Sequence, residues 1–375
     1  MDGPLKGIRV IEIGQALAGP LAGAIMADMG ADVIKVEKPD GGDDARGWGP
    51  PFIEEASIMF HVTNRNKRSV TLDMKSPDGV AKLKDLVRDA DILIQNLRSG
   101  VVAALGIGPQ DMTAINPRLI YCSIWAFGPS GPLSRAPGFD PLLQAFSGVM
   151  MQTGRHGDPP TFCAPAINDK ATAQWCVIGA LAALQQRHVT GKGCVIDTSL
   201  LDSAAAWVDT SLATYHVTQE LSPRTGTAAS AIVPYQVFET ADSPMVIAAG
   251  YDRLFHKCAA VLGYPEWATD PRFARGRDRF LNRDVLIDLM SVVLRTKTRG
   301  EWISAFEAVG VPCSPVNTIV ELSQTEQFKA VDLVRTLPGS GLPVIGLPIS
   351  FDGQRPHPQS GAPKLGEHND EVLGG

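Results

Sequence analysis

The sequence predicts an α/β protein, with a mainly parallel sheet flanked by helices in a large domain and a second, smaller α+β domain. Three observations predict it. Residues 8–37 read as strand, helix, strand; β-rich runs and helical patterns keep alternating to about residue 215; and beyond residue 225 a hairpin pattern is followed by helices without that alternation. At 375 residues and 44% hydrophobic content, the chain also exceeds the length at which one core usually stops growing, so two domains are expected.

Residues 8–13 (IRVIEI) form the first strand and end at Gly14. Pro20 suits a first helical turn, where its fixed φ fits and its missing N–H would have been unpaired. Residues 31–36 form the next strand. The turn between them, Gly14-Gln15-Ala16-Leu17-Ala18-Gly19, has four residues between its glycines and no lysine after them. It therefore lacks both the G-x-G-x-x-G spacing that cradles a pyrophosphate and a P-loop, which argues against nicotinamide and P-loop enzymes. A polar stretch, residues 39–46, and a loop around Trp48 and Pro50-Pro51 follow. Strands at 69–72, 91–94 and 119–124, a helix at 79–88, a helix at 170–187, a strand at 194–198 and a helix from 200 to about 215 continue the alternation. Residues 235–240 and 245–249 read as a hairpin around Ala241-Asp242-Ser243-Pro244, and helices are expected at 253–262, 283–294 and 299–309. The smaller domain is placed at 225–320, after residues 1–224 of the large domain, and residues 321–375 follow it, strand-like at 342–351.

The formal charge of −6 is mild and dispersed, which fits neither a nucleic-acid groove nor a polybasic membrane patch. Cys122, Cys163, Cys176, Cys194, Cys258 and Cys313 are scattered without a C-x-x-C pair, and most lie in apolar runs, as expected in a reducing cytoplasm. The first residues show no basic stretch leading into an apolar one, and no run approaches the roughly 18 apolar residues of a membrane span. A soluble cytoplasmic protein is expected. No H-E-x-x-H or comparable cluster points to a metal.

Six ordered blocks carry a family resemblance. They are the opening βαβ unit through Gly30-Ala31-Asp32-Val33-Ile34-Lys35-Val36-Glu37; Asn64-Arg65-Asn66-Lys67-Arg68-Ser69; Asn116-Pro117-Arg118 leading to Phe127-Gly128; Pro137-Gly138-Phe139-Asp140; Pro165-Ala166-Ile167-Asn168-Asp169; and Gly366-Glu367-His368-Asn369-Asp370. Together they resemble the family III CoA-transferases, whose relatives include α-methylacyl-CoA racemase. The resemblance implies a Rossmann-like large domain to which residues 321–375 return, an interlocked homodimer, coenzyme A as substrate and product with no permanently bound cofactor, and partners limited to acyl-CoA and small carboxylic acids.

Asp169 is the candidate nucleophile. An aspartate at a helix start is also a common cap, and residue type alone leaves both readings open. The helix dipole there favours the carboxylate form a nucleophile needs, and the position matches the aspartate that family members acylate. The resemblance further implies a substrate pocket containing Gln15, Trp48 and Asp140; a loop-capping aspartate before Pro141 is the alternative for Asp140, and an aromatic packed on a proline-rich loop the alternative for Trp48. Gly226 and Gly250 are candidates for oxyanion donors, and ordinary turn glycines are the alternative. For coenzyme A it carries over Leu17, Ala18, Lys38, Leu72, Lys75, Asn96, Leu97 and Arg98. Lys38 stands where several relatives have arginine and so loses a bidentate fork, and Ala104 occupies a position often held by arginine. The racemase reading requires a proton-carrying histidine beside the fourth-block aspartate, where this chain has Phe139, so transfer is favoured. A non-catalytic CoA-binding protein is the alternative from another class.

Overall fold

The structure, a computed structural model, describes residues 3–374. Six parallel strands form one sheet: β1 (Arg9–Glu12), β2 (Asp32–Glu37), β3 (Lys67–Thr71), β4 (Ile92–Gln95), β5 (Ile120–Trp125) and β6 (Val195–Ser199), in the order β3-β2-β1-β4-β5-β6. This is the doubly wound order of dinucleotide-binding folds, whose direction reverses between β1 and β4. Helices cover both faces, which is why the strands read as near-continuous apolar runs.

On one face Val10, Ile92, Ile94, Ile120 and Cys122 pack against helices Ala18–Asp28 and Ile167–Thr190. The longer helix presents Ala173, Cys176, Val177, Ala180, Ala183 and Leu184, a 3.6-residue stripe of mostly small side chains, and ends at Gly191 in a left-handed conformation. On the other face Ile11, Ile34, Val70, Leu93 and Tyr121 meet Leu83, Val87 and Met112 of helices Pro77–Arg88 and Pro109–Ile115.

The chain divides into two compact units. The first comprises residues 3–149, 162–209 and 331–374 among those described; the second comprises 150–161 and 210–330. The single helix expected from residue 200 to about 215 is instead two, Leu200–Trp207 and Asp209–Thr218, and the unit boundary falls at 209/210. The strand-like tail is shorter than expected: Pro343–Ile345 pairs antiparallel to Val334–Thr336, and beyond it Phe351 makes an isolated antiparallel bridge to Gln354. The apolar residues there suit a strand, but Gly341, Gly346 and Pro348 around them leave room for three residues in a ladder.

The C-terminal block covers an exposed edge of the sheet. His368 N–H donates to Ser69 O (2.9 Å), Ser69 N–H to His368 Nδ1 (3.2 Å) and Thr71 N–H to Asn369 Oδ1 (2.8 Å). Unpaired groups of edge strand β3 are thereby satisfied.

The second unit holds the antiparallel strands β7 (Tyr235–Phe238), β8 (Met245–Ala248) and β9 (Cys313–Pro315), with β8 central. Helices Asp252–Leu262, Arg283–Leu294 and Arg299–Ala308 enclose a core of Phe255, Cys258, Met290, Trp302 and Phe306. Among the described residues, no helix is long and apolar enough to cross a membrane.

Candidate active site

At the reversal between β1 and β4, the loops leaving the two strands are stitched together. Gln15 N–H donates to Asn96 Oδ1 (2.8 Å), and Asn96 Nδ2 returns a bond to Gln15 O (2.7 Å). Gly14 and Gly19 face one another: a Cβ on Gly14 would stand 3.1 Å from Gly19 Cα, and one on Gly19 3.2 Å from Gly14 Cα. Their spacing serves close passage of strand end past helix start rather than a phosphate cradle.

Beneath this loop lies a buried cluster of charges. Lys35 Nζ contacts Glu12 Oε1, Asp43 Oδ2 and Gly14 O, each at 2.9 Å. Lys67 Nζ reaches Glu12 Oε2 (2.5 Å), Pro20 O (2.7 Å) and Asn64 Oδ1 (2.8 Å). Burial works against the Lys35 ammonium, but Glu12 and Asp43 outweigh it and hold it above the usual lysine range. For Lys67 burial prevails and lowers it to about 8. Asp43 Oδ1 in turn accepts from Ala16 N–H (3.0 Å), fixing the left-handed Ala16, whose φ is 66°. The cluster thus holds the turn that presents Gln15.

Asp169 lies in the first turn of helix Ile167–Thr190, which begins three residues before the expected start at residue 170. It is not the cap. That role falls to Asp140, which heads helix Asp140–Ser147, is 4% exposed, and accepts from Asn168 N–H (2.7 Å) and Asp169 N–H (3.1 Å) through Oδ2. The Asp169 carboxylate receives no hydrogen bond from any described residue. Burial, and then the negative charge of Asp140, raise Asp169 to about 7.

Asp169 and Asp140 open onto a cavity of about 560 Å³ lined by residues of the first unit. Gln15 and Trp48 line it, as do Leu17, Ala18, Asn96, Leu97 and Arg98 of the coenzyme A set. Phe139 lines it too and is 55% exposed. Three of the expected CoA residues are not among its lining. Lys38 is exposed and paired through Nζ with Asp44 Oδ1 (2.6 Å), and Asp44 does line the cavity. Leu72 is buried in the core beyond β3, and Lys75 is exposed just after it.

Gly226 and Gly250 belong to the second unit. Gly226 is left-handed (φ 66°), with its N–H donated to Gly154 O (2.9 Å). A Cβ on Gly250 would lie 2.0 Å from Ile232 Cγ2, and its carbonyl accepts from the fully buried Arg279 (2.7 Å). Both glycines thus have local conformational or packing reasons. Residues the sequence reading did not single out also shape the site: Asp43, Met59, Trp125 and Gln144. Of these only Gln144 carried a readable signal, its i, i+4 spacing from Asp140.

Comparison with known proteins adds to this geometry. Residues 5–369 match the CoA-transferase family III. The chain belongs to that family. The succinate–glutarate CoA-transferase of Agrobacterium fabrum is 38% identical, with 99% of this chain and 95% of the relative aligned. The acetyl-CoA:oxalate CoA-transferase of Acetobacter aceti is 36% identical over 97% of this chain and 94% of its own. A crystal structure of a CaiB/BaiF family protein from Brucella suis superposes with a TM-score of 0.89 at 36% identity, covering 99% of both chains. The protein is an acyl-CoA:carboxylate CoA-transferase.

Proposed function

We propose that Asp169 is the covalent nucleophile of CoA transfer. The observation that carries this reading is the division of labour at the helix start: Asp140 satisfies the backbone N–H groups, which leaves the Asp169 carboxylate unbonded and facing the cavity. The first turn of a 24-residue helix supplies a dipole that favours the ionised form, against the burial and the Asp140 charge that raise this group to about 7.

Asp169 attacks the donor acyl-CoA carbonyl, and the C–S bond breaks to give a mixed anhydride and CoA thiolate. The thiolate then attacks the aspartyl carbonyl, releasing the donor carboxylate and leaving an aspartyl-CoA thioester. An acceptor carboxylate attacks that carbonyl and expels the thiolate, which finally attacks the acceptor's own carbonyl and frees Asp169. No proton is gained or lost over the cycle, and the thioester energy is retained in covalent intermediates. Gln15 and Trp48 border the reacting groups, and Leu17, Ala18, Asn96, Leu97 and Arg98 border the path of the coenzyme A chain. Lys38 and Lys75, exposed beyond the C-terminal ends of β2 and β3, are assigned to its outer part, whereas the Leu72 side chain is in the core. Gly250 is kept as a candidate oxyanion donor, whereas the Gly226 N–H is already donated to Gly154 O. Phe139 cannot carry a proton, which disfavours racemisation.

The named relatives use succinate, glutarate and oxalate, so small dicarboxylates are proposed as acceptors. The working form is a homodimer in a reducing cytoplasm, consistent with six unpaired cysteines. Leu142, Phe146, Trp175, Ile178, Leu181 and Trp207 are exposed on the first unit, an apolar surface of the kind a second copy would cover. CoA exchange followed by mass spectrometry, with succinyl-CoA or acetyl-CoA as donor and glutarate or oxalate as acceptor, tests the reading. Transfer is expected with the native protein and none with Asp169→Ala. Near-native turnover by that variant would remove Asp169 from the role.

A further inference from the structure

We propose that Gln144 is a positioning residue for CoA transfer: its side-chain amide sets the Asp140 carboxylate, and through it the helix turn that carries Asp169. The inference rests on the reading of Asp169 as nucleophile.

Gln144 is fully buried one turn after Asp140 on helix Asp140–Ser147. Its Nε2 donates to Asp140 Oδ1 (2.5 Å) and to Cys163 O (3.0 Å), and its Oε1 accepts from Cys163 N–H (2.8 Å). Both N–H groups and the carbonyl are therefore engaged. The amide has one workable orientation, because the flipped one would set its oxygen against the Asp140 carboxylate and its NH2 against the Cys163 N–H. With Oδ1 held by Gln144, Oδ2 of Asp140 is aimed at Asn168 and Asp169 N–H. The paired bonds to Cys163 tie down the segment leading into the helix at Ile167. One buried amide thus fixes both the cap and the chain that enters the capped helix. Asp140 is also the charge that acts on Asp169, and Asp44 and Arg98 are the other charged groups lining the same cavity. A shift of the Asp140 carboxylate would therefore move the orientation and the ionisation of Asp169 together.

The test is steady-state kinetics of Gln144→Leu and Gln144→Glu across the range in which Asp169 titrates, using a donor and acceptor pair active with the native protein. Folding is checked by thermal melting. Gln144→Leu removes the whole network, whereas Gln144→Glu keeps an acceptor for Cys163 N–H and removes the donor to Asp140. In both, kcat should fall about tenfold or more, with KM for acyl-CoA within about twofold of native. The ionisation that limits kcat at acid pH should move from its native position, which a merely structural role would not cause. A folded variant with native kcat and pH profile overturns the proposal, as does a loss confined to KM with the acid limb in place. If Gln144→Leu does not fold, Gln144→Glu decides; if neither folds, the role is structural and the proposal fails. Asp169→Ala separates the two levels. Turnover by that variant sinks the underlying reading, whereas an inactive Asp169→Ala beside normal Gln144 variants sinks only this inference.

Discussion

Asp169 has its ionisation displaced to about 7 because it is largely desolvated, half-buried at the cavity wall, and stands beside Asp140. An unfolded aspartate ionises near its model value of 3.8. Between these two values the folded chain binds more protons than the unfolded one, so this group makes stability fall as pH rises. The cost of ionising Asp169 is complete above about pH 7 and absent below about pH 4. Asp169→Asn, measured promptly to avoid deamidation, should therefore melt higher than the native protein at pH 8, and the gap should close as pH falls toward 4. A gap that does not change with pH would show that the carboxylate is not held in this state. The tension is functional: a nucleophile kept poorly solvated and without donors of its own stays reactive. A reader of the sequence could find Asp169 and Asp140 in their blocks but could not assign the cap. Capping of one helix by the head of another depends on contacts 28 and 29 residues apart.

At the scale of elements, the loop that presents Gln15 is held by Lys35 from β2, which is fully buried among Glu12, Asp43 and Gly14 O. Lys35→Met would leave two buried carboxylates facing Lys67 alone. Removing one partner of a buried ion pair typically costs about 3–5 kcal/mol, and that loss is expected in urea denaturation. A change below about 1 kcal/mol, the scale of an ordinary surface substitution, would mean that the cluster is not the support of this loop. The parallel strands were legible because strands buried on both faces are written as short apolar runs. Helix 283–294 kept its expected limits because its apolar positions recur with helical period. Long-range polar contacts were not legible. Asn116, known from sequence only as part of a family block, donates to Val87 O and Ala90 O, and the C-terminal block closes the edge of β3. Much of the ordered motif signal therefore specifies the scaffold around the cavity, and the fourth and fifth blocks supply Asp140 and Asp169, two of the three carboxylates that line it. The break at Val208 follows an alanine-rich turn that favours helix, whereas Asp209, Thr210 and Ser211 beyond it are poor interior helix formers and mark a new helix start.

For the whole molecule, the doubly wound order makes a crevice where the sheet reverses direction, and the cavity lies at the loops leaving β1 and β4. The turn lacks the dinucleotide glycine spacing, so the same crevice is available to another elongated ligand. The exposed aromatic and aliphatic residues on the first unit lead to an assembly prediction: light scattering at micromolar concentration should give twice the 40.0 kDa chain mass. A stable particle of one chain mass would contradict the proposed dimer. The reaction itself is tested most directly by trapping. The protein is incubated with acyl-CoA and then hydroxylamine, and the modified peptide is mapped by mass spectrometry. A hydroxamate on Asp169, formed only when the donor is present, is expected; active protein that never yields a donor-dependent adduct at Asp169 would contradict covalent transfer through this residue.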